Sequence, residues 1–274
     1  MLFRSIAMRL VPIGHLPRAM AMIFTGVSVA TVTAAPLGAY IGSTLGWRAA
    51  FVVTALVGVL ALIGQAVTLP SLPPVGHAGL GTMAAVLTRP KIRIGLIATL
   101  LIVAGHFAGF TYIRPYLEFI PQFDAKLVSL VLLGYGVGGF FGNFVGGIIT
   151  ERNSALGSVF AAGLIAASAA ILVIAGSSGV TAAVGVALWG FAFGAFPVSI
   201  QSYITRAAPD EAESAGALLL TTFQIAISSG AVFGGLLVDV LGPLFVVSFL
   251  GVMSLLGAAV MGIRGGKQVA FSHD

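Results

Sequence analysis

Thr25-Gly26-Val27-Ser28-Val29-Ala30-Thr31-Val32-Thr33-Ala34-Ala35-Pro36-Leu37-Gly38-Ala39-Tyr40-Ile41-Gly42-Ser43-Thr44-Leu45-Gly46-Trp47-Arg48 is an apolar run with a proline near its middle and small residues around it. Crossing a bilayer takes about 20 such residues, so the run is long enough to span one. Pro36 lacks a backbone donor and presses on the preceding turn, which predicts a bend there. Gly38 and Gly42 lie four apart on one helical face and would let a neighbouring helix approach closely. The run closes on Trp47 and Arg48, an aromatic and a cation suited to the membrane–water boundary.

The rest of the chain has the same character. Of 274 residues 58% are hydrophobic and 8% charged, with a mean hydropathy of +1.10. A soluble domain carries about 25% charged residues, so most of this surface is built to face lipid. The net charge of +5 comes from cations scattered over short loops, which argues against a nucleic-acid partner. The absence of cysteine excludes disulfides, iron–sulfur clusters and thiol zinc sites. Arg4, Arg9, Pro12 and Arg18 interrupt any secretory apolar core at the N-terminus.

Apolar runs predict eight spans, at 21–44, 49–69, 93–115, 127–149, 155–176, 180–204, 214–237 and 243–263. Between the second and third lies the longest linker, which contains Pro70, Pro73, Pro74 and Gly76 and leaves room for a short surface helix over Leu80–Leu87. With the N-terminus in the cytoplasm, ten Lys and Arg fall inside and only Arg48, Arg114 and Lys126 outside. That bias predicts a multi-pass protein with both termini cytoplasmic.

An internal echo exists at an offset of 196 residues. It places Ala19 on Ala215, Ala34 on Gly230, Gly38 on Gly234, and Leu45-Gly46 on Leu241-Gly242. The first helix pair therefore repeats the last. If the last pair closes a six-helix unit, the first pair closes an equivalent one, four of whose helices lie outside this chain. The expected organisation is 1–69, the last two spans of an N-terminal bundle; 70–91, a cytoplasmic linker; and 92–274, a complete C-terminal six-helix bundle.

These features resemble the major facilitator superfamily, twelve-helix transporters made of two six-helix halves. Ala34-Ala35-Pro36-Leu37-Gly38-Ala39 is similar to the proline-centred antiporter motif of helix five, with Ala35 and Ala39 where glycines are usual. Gly142-Asn143-Phe144-Val145-Gly146-Gly147-Ile148-Ile149-Thr150-Glu151-Arg152 resembles the second copy of the family's loop motif, with glutamate for the usual aspartate. Gly105-His106 to Glu118, with Trp189-Gly190, Pro197 and Tyr203 to Arg206, is similar to bacterial sugar-efflux and purine-ribonucleoside-efflux pumps. The resemblance implies an all-α transmembrane fold equivalent to helices five to twelve of twelve. It also implies export of a small polar solute by proton antiport across the bacterial inner membrane, through alternating access. Purine nucleosides are the first expectation; sugars or drugs are the alternatives. A remnant that inserts and transports nothing is a further one.

His106 is the one ionisable residue near the middle of a span, where charge is costly and tends to mark a pathway. It could contact substrate or respond to protons, or equally be a hydrogen-bonded helix contact. With Tyr112, Trp189 and Gln224 it makes up the expected substrate wall. Arg114 and Glu118, four apart around Pro115, are expected as an outer gate or an interfacial anchor. Glu151 and Arg152 are expected, from the resemblance, to latch the cytoplasmic side. Pro36, Gly38 and Gly42 are expected to pack the two halves. The glycine ladder Gly134, Gly138, Gly142, Gly146 reads as close helix packing, because the lysine and hydroxyl of a phosphate loop are missing. Asp210, Glu211 and Glu213 read as support for a helix N-terminus. No cofactor or metal is implied, no catalytic triad appears, and the composition leaves oligomeric state open.

Overall fold

The computed structural model describes residues 44–70 and 79–265, with scattered positions between 26 and 42. The described positions between 26 and 45 are helical; Pro36 and its expected bend lie outside the described residues. Beyond them run α1 (Trp47–Thr68), α2 (Leu80–Thr88), α3 (Pro90–Thr111), α4 (Ile113–Phe119), α5 (Ala125–Arg152), α6 (Ser154–Ala175), α7 (Gly179–Ala207), α8 (Ala212–Leu241) and α9 (Pro243–Val260). A single π-helical turn, Met261–Gly265, ends the last of these. Seven helices among the described residues are long and apolar enough to cross a membrane. The all-helical fold expected from the sequence is the fold observed.

The helix ends follow local chemistry. The Asp124 side chain accepts from the Leu127 amide at 2.8 Å and starts α5, and Asn153 accepts from the Leu156 amide at 3.0 Å and starts α6. Pro90 and Pro243 sit in the first turns of α3 and α9, where a missing N–H has no helical partner to lose. One boundary differs from expectation. The third span does not run unbroken to 115; it stops at Tyr112 and restarts as α4. Pro115 then falls in the first turn of α4, which removes the conflict between proline and helix.

α5 packs on α7, α7 on α6, α6 on α9, α9 on α3, and α3 on α8, which closes one bundle with α2 against α8 and α3. Small residues make these contacts. A Cβ at Gly138 or Gly142 would strike the backbone of Ala187 or Phe191, and one at Gly190 or Gly194 would strike that of Tyr135 or Gly139. The glycine ladder is therefore one half of a reciprocal backbone interlock between α5 and α7. Near its far end Ser199 Oγ donates to the Ala195 carbonyl at 2.9 Å, so Thr150 must donate the 2.7 Å bond that joins their two hydroxyls. Most hydroxyls in the spans are satisfied by carbonyls one turn back, as in Thr99 to Gly95.

The sequence repeat has a conformational counterpart. Gly46 (φ 85°, ψ 156°) precedes α1, and its equivalent Gly242 (φ 89°, ψ 170°) precedes α9. That region of backbone space is essentially reserved for glycine. The two copies differ in packing. Gly230 and Gly234 press on the backbone of Ala104 and Ala108 in α3, whereas Gly38 and Gly42 have nothing within 4 Å among the described residues. No residue of α1 is buried.

Asp210 has a role the sequence did not disclose. Its carboxylate takes a bidentate pair from Arg89, at 2.7 and 2.6 Å, tying the α2–α3 junction to the α7–α8 loop. Glu213 alone of its group lies in the first turn of α8. The hydrogen bond from Arg89 holds the Asp210 carboxyl at about 2, below its ordinary 3.8, and the same bond raises Arg89. The pair's contribution is therefore complete above about pH 4 and disappears as pH falls toward 2. Asp210→Asn is expected to lower the unfolding midpoint in detergent slightly at pH 7 and to match the parent near pH 2. The difference should shrink in high salt, since both partners are solvent-exposed.

Candidate functional site

The bundle concentrates its aromatic side chains around His106. Taken together, α3 and α4 run from Pro90 to Phe119, which places His106 near the middle of that path. Its ring is 1% exposed. Phe193 of α7 stacks on it with centroids 3.3 Å apart and planes 1° from parallel, and Phe110 stacks at 5.6 Å and 13°. Phe107 and Trp189 meet it edge-on at 4.9 and 5.5 Å. Tyr135 of α5 lies 6.3 Å away, tilted by 28°. Trp189 is completely buried, while Phe107, Phe110, Tyr135 and Phe193 are half-buried and leave part of the cluster accessible.

Two hydrogen bonds fix the imidazole. Trp189 Nε1 donates to His106 Nδ1 at 3.1 Å. Tyr135 Oη lies 3.4 Å from His106 Nε2. An indole nitrogen can only donate, so Nδ1 carries no proton and the ring in this arrangement is neutral. Below the cluster, Pro197 interrupts the α7 ladder and deprives the Phe193 carbonyl of its helical donor. An apolar cluster thus encloses one oriented, neutral imidazole.

His106 and Trp189 were expected in the substrate wall, and the fold brings them into direct contact. Tyr112 is elsewhere: its hydroxyl donates to the Ala231 carbonyl at 3.1 Å and bolts α3 to α8. Gln224 is exposed on α8. It belongs to a longitudinal stripe (Glu213, Ala217, Thr221, Gln224, Ser228, Ala231, Gly235, Asp239) at three- and four-residue intervals. No large apolar side chain interrupts this stripe. The adjoining exposed face carries Ile225, Val232, Leu236 and Val240, as a lipid contact should. Arg114 Nε donates to Glu118 Oε1 at 2.7 Å, an exposed pair within α4. Glu151 and Arg152 close α5, exposed and in no salt bridge among the described residues; the Glu151 carbonyl accepts from Arg206 at 3.5 Å.

Tyr135, Phe107, Phe110 and Phe193 are cluster members that sequence reasoning missed. A usable signal existed in Tyr135, an aromatic set between Gly134 and Gly136 inside the ladder, and in Phe193, one turn before Pro197. Among the described residues no group of three or more His, Asp or Glu is placed to hold a metal.

The profile of the Major Facilitator Superfamily matches residues 2–231 and 122–265. A purine ribonucleoside efflux pump, NepI, of Salmonella enteritidis is 39% identical over 260 residues, which cover 95% of this chain and 66% of that protein. The protein of the same name in Salmonella typhimurium is 38% identical over the same coverage. The chain thus spans 66% of the length of these relatives. Among solved structures, a bacterial homologue of the human lysosomal transporter Spinster, inward-facing and unoccupied, superposes with a TM-score of 0.59 at 15% identity. The superposition covers 95% of this chain and 71% of that one, and it supports the fold alone.

Proposed function

The chain belongs to the major facilitator superfamily, and from that membership we propose that it is the greater part of a proton-coupled exporter of purine nucleosides. It would work by alternating access in the bacterial plasma membrane with both termini cytoplasmic. Residues 92–274 would form one half-transporter, 1–69 the end of the other, and 70–91 the linker between them.

One observation supports the substrate class. The cluster around His106 already holds a flat nitrogen heterocycle by stacking and by a donated N–H, which are the two interactions a purine base offers. The naming of the similar Salmonella proteins agrees with that chemistry. The accessible stripe on α8, centred on Gln224, would offer ribose hydroxyls donors and acceptors facing away from lipid. Trp189 and His106, buried in this structure, would form the inner layer of the base-binding wall behind Phe107, Phe110, Tyr135 and Phe193, with Tyr112 bracing α3. Arg114 with Glu118 would act at the outer rim, and Glu151 and Arg152 at the inner one. Pro36, Gly38 and Gly42 would pack against the opposite half.

Proteoliposomes loaded with a tritiated purine nucleoside under an imposed pH gradient test this. The expected result is nucleoside movement that a protonophore abolishes. Movement of sugars or drugs without nucleosides would favour those alternatives. An inert 274-residue chain beside an active, upstream-extended one would establish the remnant reading.

A further inference from the structure

We propose that the Tyr135 hydroxyl is the donor that selects the ligand's ring nitrogen or carbonyl, and that His106 is the positioning residue that aims it. This rests on the nucleoside reading above and assigns it an atom.

The inference follows from the direction of the hydrogen bonds. Trp189 Nε1 has a proton to give and no lone pair to receive one, so the bond to His106 Nδ1 has one possible sense. With Nδ1 occupied as an acceptor, a neutral imidazole carries its proton on Nε2. That proton points at Tyr135 Oη, 3.4 Å away, and makes the phenol oxygen the acceptor of the second bond. The hydroxyl hydrogen of Tyr135 is then uncommitted, and the described residues supply it no other partner. A donor without an acceptor is costly to leave unmet, and more so in an apolar surrounding. The partner it fits is an acceptor on the edge of a flat ring stacked against Phe107, Phe110 or Phe193. Purine N3, N7 and O6 are such acceptors, carried in the plane of an aromatic ring; a saturated sugar has no π ring and no in-plane acceptor. The relay does for Tyr135 what a fixed side-chain amide does elsewhere: it sets polarity as well as position.

Two measurements on the full chain in lipid nanodiscs test it. The first is the 15N spectrum of histidine-labelled protein, with His106→Gln used to assign the His106 signals. The neutral Nε2–H tautomer is expected; an Nδ1–H tautomer or an imidazolium at neutral pH overturns the relay whatever the substrate proves to be. The second is equilibrium binding of tritiated adenosine. Tyr135→Phe should weaken it about tenfold, the scale of one unmet hydrogen bond. His106→Gln, whose amide nitrogen reproduces the Nε2 donor, should bind at least about threefold more tightly than His106→Asn. His106→Asn, whose amide sits near the Nδ1 position, should lose as much as Tyr135→Phe. One of 3-deazaadenosine and 7-deazaadenosine, or inosine against its 6-deoxy analogue, should show the same loss in the parent and no further loss in Tyr135→Phe. Equal affinities for Gln and Asn at 106, or a Tyr135→Phe protein that binds as the parent does, would sink the assignment. A correct tautomer in a parent protein that binds no purine nucleoside would overturn the substrate reading and leave the relay's direction intact.

Discussion

Gly142→Leu is expected to unfold the bundle. A Cβ at 142 would lie inside the Phe191 backbone, and a backbone carbonyl cannot rotate aside as a side chain can. Overpacking a core costs about 1–3 kcal/mol when side chains can yield, so the expected cost here exceeds about 3 kcal/mol. For a domain of this size that corresponds to a fall of at least about 6 °C in the unfolding midpoint. Gly147 supplies the control. It lies five residues along the same helix with nothing among the described residues within 4 Å of its Cβ position, so Gly147→Leu should change the midpoint by no more than about 2 °C. Thermal unfolding in detergent, followed by near-ultraviolet circular dichroism, checks both. Equal behaviour of the two variants would refute the interlock.

Trp189→Ala should be comparably damaging for the opposite reason. Trp189 is fully buried beneath the His106 ring, and its removal leaves a cavity; large aromatic truncations cost about 3–5 kcal/mol. Trp189→Phe separates packing from polarity. It keeps most of the volume but leaves His106 Nδ1 without its donor, for an expected cost of about 1–3 kcal/mol. It also releases the constraint on the tautomer. The phenylalanine variant should therefore remain folded while losing the single His106 tautomer in the 15N spectrum and much of its nucleoside affinity. A Trp189→Phe protein that kept both would show that the indole serves only as bulk.

Most of the architecture was legible because lipid imposes a simple grammar. Every span must satisfy its own backbone, so length and hydropathy fix existence, and the observed helix ends fall within about four residues of the ends of the apolar runs, some beyond them and some short of them. The break at Tyr112 was obscured because neither glycine nor proline sits at it and Pro115 suggested a later stop. The glycine ladder announced close packing but not its partner: Gly190 and Gly194, four apart, mark a small face on α7, and only the fold shows that this face meets α5. His106 and Trp189 stood out as rare residue types in apolar runs. Phe107, Phe110 and Phe193 did not, because phenylalanine in a spanning helix is ordinary, and only the fold shows which of nineteen share a cluster. Asp210 looked like a helix-end charge because its partner, Arg89, is 121 residues away.

The α5–α7 contact also has a pitch. Gly134, Gly138, Gly142 and Gly146 repeat every four residues, a step of about 6 Å along the helix. Moving α5 by one residue would turn Phe141 or Asn143 toward the Phe191 carbonyl, where the contact admits only glycine. Moving it by four would seat another glycine there. The permitted registers of this pair are therefore discrete, like the teeth of a rack. Through any smaller movement of the bundle, α5 and α7 travel together as one rigid plate.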